Sequence, residues 1–269
     1  MIRLPVPATM VLVLCVCMIA GAQTGAPKIH DLELVTQLPP HFPQRIMGLA
    51  YDGEQLWATI YLGKGRFAKL DPLTLSWTST GDESEHNRAI ALVAGAFESP
   101  GAVCFANGSL WIAGAYGESF GSINRESWQI ERLYRGKQRE DESNASQTYA
   151  SMVHDGTNLW IAWHWFRYDQ PISQTQLVLK VDPDSGKVIA QYPLPGGTRN
   201  DGTHGLTWDG TRLWHMKDQR LSAIDPTTGT VTAKYVIKDI KRPSGLAWTN
   251  DTLWIAEFNG RIWRLPFAQ

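Results

Sequence analysis

Cysteine is scarce: the 269 residues hold three, and two of them, Cys15 and Cys17, lie in an apolar N-terminal stretch. That leaves Cys104 alone in the rest of the chain, which excludes a small scaffold stapled by internal disulfides. An excess of either charge is also missing, with 25 Lys and Arg against 26 Asp and Glu. Neither nucleic acid nor an anionic membrane surface is therefore an expected partner, because both need a clustered positive field. At 43% hydrophobic and 19% charged residues the composition also excludes a disordered chain. Recognised catalytic signatures are absent too: there is no Gly-x-Ser-x-Gly elbow, Cys-x-x-Cys, His-Glu-x-x-His, phosphate-binding loop or dinucleotide fingerprint.

The N-terminus reads as a targeting segment. Arg3 is the only charge in the first 27 residues, and the apolar run Met10 to Ala20 ends in Ala20-Gly21-Ala22. The run is shorter than the roughly 18 apolar residues that a membrane span needs, so residues 1–22 are expected to be a cleaved secretory signal. The protein is then secreted or periplasmic, with no membrane insertion after cleavage. Residues 23–269 form a single domain, expected to be monomeric.

Abundance lies in glycine, 24 residues, and tryptophan, 12 residues. A Leu-Trp pair recurs at Leu56-Trp57, Leu110-Trp111, Leu159-Trp160, Leu213-Trp214 and Leu253-Trp254, at steps of 54, 49, 54 and 40 residues. The grammar is plainest in Gly205-Leu-Thr-Trp-Asp-Gly-Thr-Arg-Leu-Trp214, followed by Arg220 to Gly229 and Val231 to Tyr235. Each unit holds four short runs separated by turn residues, the pattern of a four-stranded antiparallel blade. A single blade cannot bury both faces, so the units stack around an axis. The fold class is all-β, a five-bladed β-propeller. The fifth unit ends with three strands, and Asp31 to Gln37 is expected to supply its outer strand and close the ring.

The turns between strands one and two, and three and four, are stereotyped Asp-Gly and Asp-Pro sequences. Divergence is concentrated on the opposite face. Just before the inner strand the units show Met47, Gly101, Ala150, His204 and Ser244; three residues after the tryptophan they show Ile60, Gly114, Trp163, Lys217 and Glu257. Thr80 to Pro100 is expected to lay an extra helical turn or strand over the ring, and Arg135 to Tyr149 to be a polar mobile loop. Trp163, His164 and Trp165 lead into Phe166 to Asp169 and are expected to form an aromatic, ionisable loop for ligand contact. Tyr51, Phe105, Trp208 and Trp248 are expected to fill the spaces between blades, with His154 in the same slot, and Cys104 is expected to be a small inert core residue.

Candidate catalytic residues are Glu257, His204 and Lys217. His204 suits acid/base work or metal ligation, and Glu257 is expected to point into the channel mouth. With Asn259 it could take a divalent cation such as Ca²⁺, although no acidic cluster of recognised spacing accompanies them; pairing with Lys217, Arg242 or Arg45 is the other reading. No further cofactor is indicated. Candidate ligand-binding residues are Trp163, His164, Trp165, Arg45, Arg242 and Asn259.

The phrases Gly205 to Trp214 and Ile224 to Gly229 resemble those of secreted bacterial propellers related to plant-type glutaminyl cyclases and to the NHL and YVTN repeat families. The resemblance implies five blades and a tryptophan-lined central pocket that turns an N-terminal glutamine into pyroglutamate, with Trp163, Lys217 and Glu257 as a workable pocket. Where that family often carries an acidic or amide residue before an inner strand, this chain has Met47, His204 and Ser244. Two functions follow as expectations. One is an exported propeller that binds a protein, peptide or saccharide through the variable face. The alternative is an enzyme, cyclase-like or a metal-dependent lactonase or lyase, with its pocket at the channel mouth.

Overall fold

The computed structural model describes residues 31–42, 45–61, 67–79, 84–94, 100–114, 119–135, 145–167, 170–195 and 204–267. The expected signal segment lies outside them. Strands β2 (Ile46–Tyr51), β3 (Leu56–Ile60), β4 (Phe67–Leu70) and β5 (Trp77–Ser79) form blade 1, in that order from one edge to the other. Blade 2 contains β6 (Pro100–Ala106), β7 (Ser109–Gly114), β8 (Ser119–Asn124) and β9 (Ile130–Arg135). Blade 3 contains β10 (Ala145–His154), β11 (Leu159–Arg167), β12 (Gln170–Val181) and β13 (Val188–Pro193). Blade 4 contains β14 (Gly205–Trp208), β15 (Leu213–Lys217), β16 (Arg220–Ile224) and β17 (Val231–Val236). Blade 5 contains β18 (Pro243–Thr249), β19 (Thr252–Glu257) and β20 (Arg261–Pro266), and its fourth strand is β1 (Glu33–Gln37). The ring is thus closed by the N-terminal strand as the missing outer strand required, with Glu33 opposite Arg264 and their side chains bonded at 2.7 Å.

The repeated Asp and Trp have one cause. In blade 4, Asp209 Oδ1 accepts the amide protons of Thr211 and Arg212 at 2.8 and 2.6 Å, while Oδ2 accepts the Trp214 indole N–H at 2.7 Å. The carboxylate therefore shapes the hairpin and satisfies a buried indole at once, and Gly210 supplies the φ of +97° that the turn demands. Asp52 with Trp57 and Asp155 with Trp160 repeat the arrangement, and blade 5 substitutes Thr249 Oγ1 for the carboxylate at 2.8 Å.

The turns between third and fourth strands follow a second rule. Asp225 Oδ1 accepts the amides of Thr227 and Thr228, and its carbonyl accepts the amide of Gly229 at φ +71°. Tyr192 of blade 3 lies over Gly229, where an added Cβ would come within 2.2 Å of its ring, and Tyr134 of blade 2 lies over Gly186 likewise. The corresponding positions in blades 1 and 2, Leu75 and Trp128, adopt φ of 58° and 56° and pack into the interfaces with blades 5 and 1. A glycine under a tyrosine fills the seams of blades 2 with 3 and 3 with 4, and a larger side chain fills those of blades 5 with 1 and 1 with 2.

Of the expectations on the variable face, the extra helical element between Thr80 and Pro100 is met and two others are corrected. Ala89, Ile90 and Val93 lie on α1 (Ser84–Ala94), an amphipathic helix whose apolar face is buried against Val103, Leu110 and Ile112. Trp163, His164 and Trp165 belong to no loop: they are paired residues of β11, opposite Tyr149, Thr148 and Gln147 of β10, and Ala145 to Tyr149, expected in a mobile loop, are all strand residues. Residues 136–144 lie outside the described residues.

Candidate functional site: a buried polar cluster between blades 3 and 4

Strand alternation decides which seam receives each candidate. On β11, Trp160, Ala162 and His164 share one face; on β15, Leu213, His215 and Lys217 share another. The two faces meet, because Trp160, Ala162, Val178, Leu206 and Leu213 form one buried core cluster. Gln176 of β12, directly opposite His164, and His204, just before β14, complete the group. All five polar side chains are buried: His204 is 0% exposed, His215 and Lys217 1%, His164 2% and Gln176 7%.

His204 Nδ1 lies 2.8 Å from His215 Nε2, and the His164 ring stands edge-on to His204 with centroids 4.0 Å apart. Lys217 Nζ reaches Gln176 Oε1 at 3.5 Å. Burial, and then the positive charge of Lys217, push His164 down to about 3. His215 is also lowered to about 3, by burial first and then by His164 and Lys217, with which a second positive charge would clash, and His204 is driven down for the same reasons. The three imidazoles are neutral at pH 7. Both ring nitrogens of His164, Nε2 of His204 and Nε2 of Gln176 are buried without a hydrogen-bond partner among the described residues. Neutral imidazoles offer a donor and an acceptor each. Proton uptake is another matter, since a general base works best with a pKa near the working pH.

The remaining candidates go elsewhere. Glu257 shares its face of β19 with Leu253 and Ile255, which pack on Trp214 and Met216, so it lies between blades 4 and 5, across the sheet from Lys217. Among the described residues it pairs with no lysine or arginine side chain: Oε1 accepts the amides of Lys241 and Arg242 at 2.9 and 3.3 Å, and Oε2 accepts the Trp263 indole at 2.9 Å. Its work is to anchor the segment that carries Arg242. The Arg242 guanidinium lies 4.5 Å from the Phe258 ring centroid and that of Arg45 lies 5.5 Å from it, with Tyr61 also against Arg45. Both arginines are exposed, and neither has a carboxylate partner among the described residues. Asn259 is an exposed turn residue whose Oδ1 accepts the Arg261 amide at 3.2 Å. Trp163 faces blade 2, packed half-buried near Trp111 and Ala113. Trp165 is paired with Gln147 and Thr175 along the backbone, and its side chain lies outside the description. Cys104 is buried, and burial pushes its thiol up.

Two cluster members were missed in the sequence. His215 follows its tryptophan where the other blades carry Ala58, Ile112, Ile161 and Ile255, so one polar residue in an apolar strand slot was the available signal. Gln176 gave none. The slot before the inner strand also has a structural meaning: Met47, Gly101, Ala150 and Ser244 are each the extra residue where the register with the second strand shifts. Such a bulge re-aims a side chain. No group of three or more His, Cys, Asp or Glu able to hold a metal ion is present among the described residues.

The protein is a five-bladed β-propeller resembling the glutaminyl cyclase-like propellers. No protein-family model matches the chain, and no curated protein matches it in sequence. Among solved structures it is similar to the glutaminyl cyclase of Myxococcus xanthus, with TM-score 0.56 and 11% identity over 88% of this chain and 97% of that one. It is also similar to virginiamycin B lyase of Staphylococcus aureus, with TM-score 0.52 and 14% identity over 88% and 99%. A catalytically inactive histidine-to-alanine form of that lyase, with quinupristin, matches at TM-score 0.51 and 14% identity over the same shares. At these identities the likeness is one of fold.

Proposed function

We propose that the protein is an exported ligand-binding propeller that receives a peptide, protein or saccharide at its loop-rich face, with a carboxylate of the ligand held by His164, His204, Gln176 and Lys217. The observation that carries this reading is the convergence between blades 3 and 4 of four buried polar atoms that have no partner among the described residues. Each such atom left unpaired costs about 1–3 kcal/mol, which a bound polar group would recover. Lys217 makes an anionic group the better match, and the exposed pair Arg45 and Arg242 around Phe258 extends the positive surface on the same face. Imidazoles with pKa near 3 favour binding over proton transfer, because a base several units below neutrality takes a proton poorly. The enzymatic alternative draws on the named activities of the Myxococcus cyclase and the Staphylococcus lyase, together with His204 as the acid/base.

Calorimetric titration of the purified protein with a Gln-initiated tripeptide, as the free acid and as the C-terminal amide, separates these readings. The free acid is expected to bind at least tenfold more tightly, and Lys217→Met and His164→Ala to abolish that preference. Equal binding of acid and amide, or an unchanged preference in both variants, overturns the proposal. Release of ammonia from the tripeptide would establish the cyclase alternative instead.

A further inference from the structure

The polar cluster contains one imidazole that the proposed ligand contacts do not use. His215 is buried in the middle of β15, and its Nε2 lies 2.8 Å from Nδ1 of His204. In the other four blades the same slot carries Ala58, Ile112, Ile161 and Ile255, so packing alone would be served by an aliphatic side chain. The contact with His204 is chemical rather than steric. Two ring nitrogens at 2.8 Å share one proton, because neither two protons nor two lone pairs can face each other at that distance.

Burial first, and then the neighbouring His164 and Lys217, hold both rings neutral at pH 7. A neutral imidazole carries one N–H, so the direction of the shared bond dictates the state of the other nitrogen on each ring. If His204 donated through Nδ1, its Nε2 would be a bare lone pair and His215 would carry its proton on Nδ1. Both rings would then hold the less stable neutral tautomer, since an imidazole side chain intrinsically favours the proton on Nε2. If His215 donates through Nε2, both rings keep the favoured tautomer and His204 Nε2 becomes an N–H.

That atom is buried and has no partner among the described residues. Its neighbours are donors as well. Lys217 Nζ can only donate, so Gln176 turns Oε1 toward it and leaves its Nε2, with two protons, unpartnered among the described residues. His164 adds one N–H on a ring whose centroid is 4.0 Å from that of His204. A pocket of donors suits a group that only accepts, as an ionised carboxylate does, whereas the NH2 of a carboxamide meets N–H groups head-on.

We infer that His215 is a positioning residue, which holds His204 as an Nε2–H donor and so makes the pocket select a ligand's carboxylate over the corresponding amide. This role rests on the reading of the cluster as a carboxylate site and adds the residue that sets its selectivity. With the shared proton reversed, His204 would present a lone pair to the carboxylate and repel it.

Long-range proton–nitrogen correlation spectra of the isotope-labelled protein at pH 7, with each ring assigned through its own Cβ, read the tautomers without any variant. His204 and His215 are each expected to carry the proton on Nε2, and the His215 Nε2–H to exchange slowly with solvent. Calorimetric titration with the Gln-initiated tripeptide, as free acid and as C-terminal amide, reads the consequence. His215→Leu should lower the preference for the acid about tenfold, whereas His215→Gln, whose carboxamide N–H can take the place of the Nε2–H, should keep most of it. A parent whose His204 carries its proton on Nδ1, a folded His215→Leu with the full preference, or a His215→Gln as impaired as His215→Leu overturns this role and leaves the carboxylate reading standing. A parent that binds acid and amide alike overturns both. Should His215→Leu fail to fold, the tautomers of the parent and the titration of His215→Gln decide.

Discussion

Acid should destabilise this propeller well above the range in which carboxylates titrate. The perturbation is a shift from pH 7.5 to 5.5. His164, His204 and His215 are at most 2% exposed and lowered well below 6.5, so the folded protein keeps them neutral through this interval. In the unfolded chain each regains a pKa near 6.5 and takes up a proton as the pH falls. The unfolded state then binds more protons, and stability falls with pH, starting near 6.5 and continuing toward the folded value of about 3. One such histidine loses about 1.4 kcal/mol between pH 7.5 and 5.5, and three lose about 4 kcal/mol. At about 2–4 °C per kcal/mol for a domain of this size, the melting midpoint drops by roughly 8–16 °C. Urea melts at the two pH values, run on the parent and on His215→Gln, check the reasoning. The variant should lose about a third of the pH dependence; a parent whose stability is flat over this interval, or a variant with the full dependence, refutes it.

Below about pH 4 a second loss should begin, because backbone hydrogen bonds hold Asp71 and Asp225 below the usual carboxylate range, and a side-chain bond from Ser185 with backbone bonds does so for Asp182. Their contribution is present above the unfolded pKa of about 3.9 and disappears as the pH drops through the folded values, so Asp225→Ala should reduce the loss seen in melts between pH 4 and 2.5. Asp209→Ala removes the acceptor of two amides and the Trp214 indole and should cost about 2–4 kcal/mol in denaturant melts, whereas Asp209→Asn, which keeps one oxygen for the turn, should cost less. Gly229→Ala should cost about 1–3 kcal/mol, from the positive φ and from a Cβ 2.2 Å from the Tyr192 ring; Tyr192→Ala in the same chain should recover part of it.

The blades were legible because each repeated residue has a local task. Asp209 to Trp214 is a complete hairpin device within six residues, and the Asp-Pro turns are equally self-contained. Closure by Asp31 to Gln37 was legible by subtraction, since the fifth unit lacked one strand. What stayed hidden depends on partners distant in sequence. Trp163 to Trp165 looked like a loop because their pairing with β10 runs past the length of the other blades. Glu257 looked like a channel residue because only the folded seam brings the amides of Lys241 and Arg242 and the indole of Trp263 to it. The polar cluster was half visible in His204, Lys217 and His164, but their facing across one seam follows from strand alternation in two blades at once. Tyr51, Phe105, Trp208 and Trp248 were legible as packing residues, and they do pack against the cores between blades.

Closure of blade 5 joins residues 231 positions apart, from Glu33 to Arg264. Bringing such ends together costs about 5 kcal/mol on the logarithmic scaling of loop closure, so the pairing of β1 with β20 is the most non-local step in the chain. Strand β1 is synthesised first among the described strands and yet waits for the last one. Until then the nascent chain is an open fan whose outermost blades have one uncovered apolar face each. The final three strands therefore act as the latch that turns a growing series of blades into a cooperative ring, and folding time should be governed by this late event rather than by any single blade.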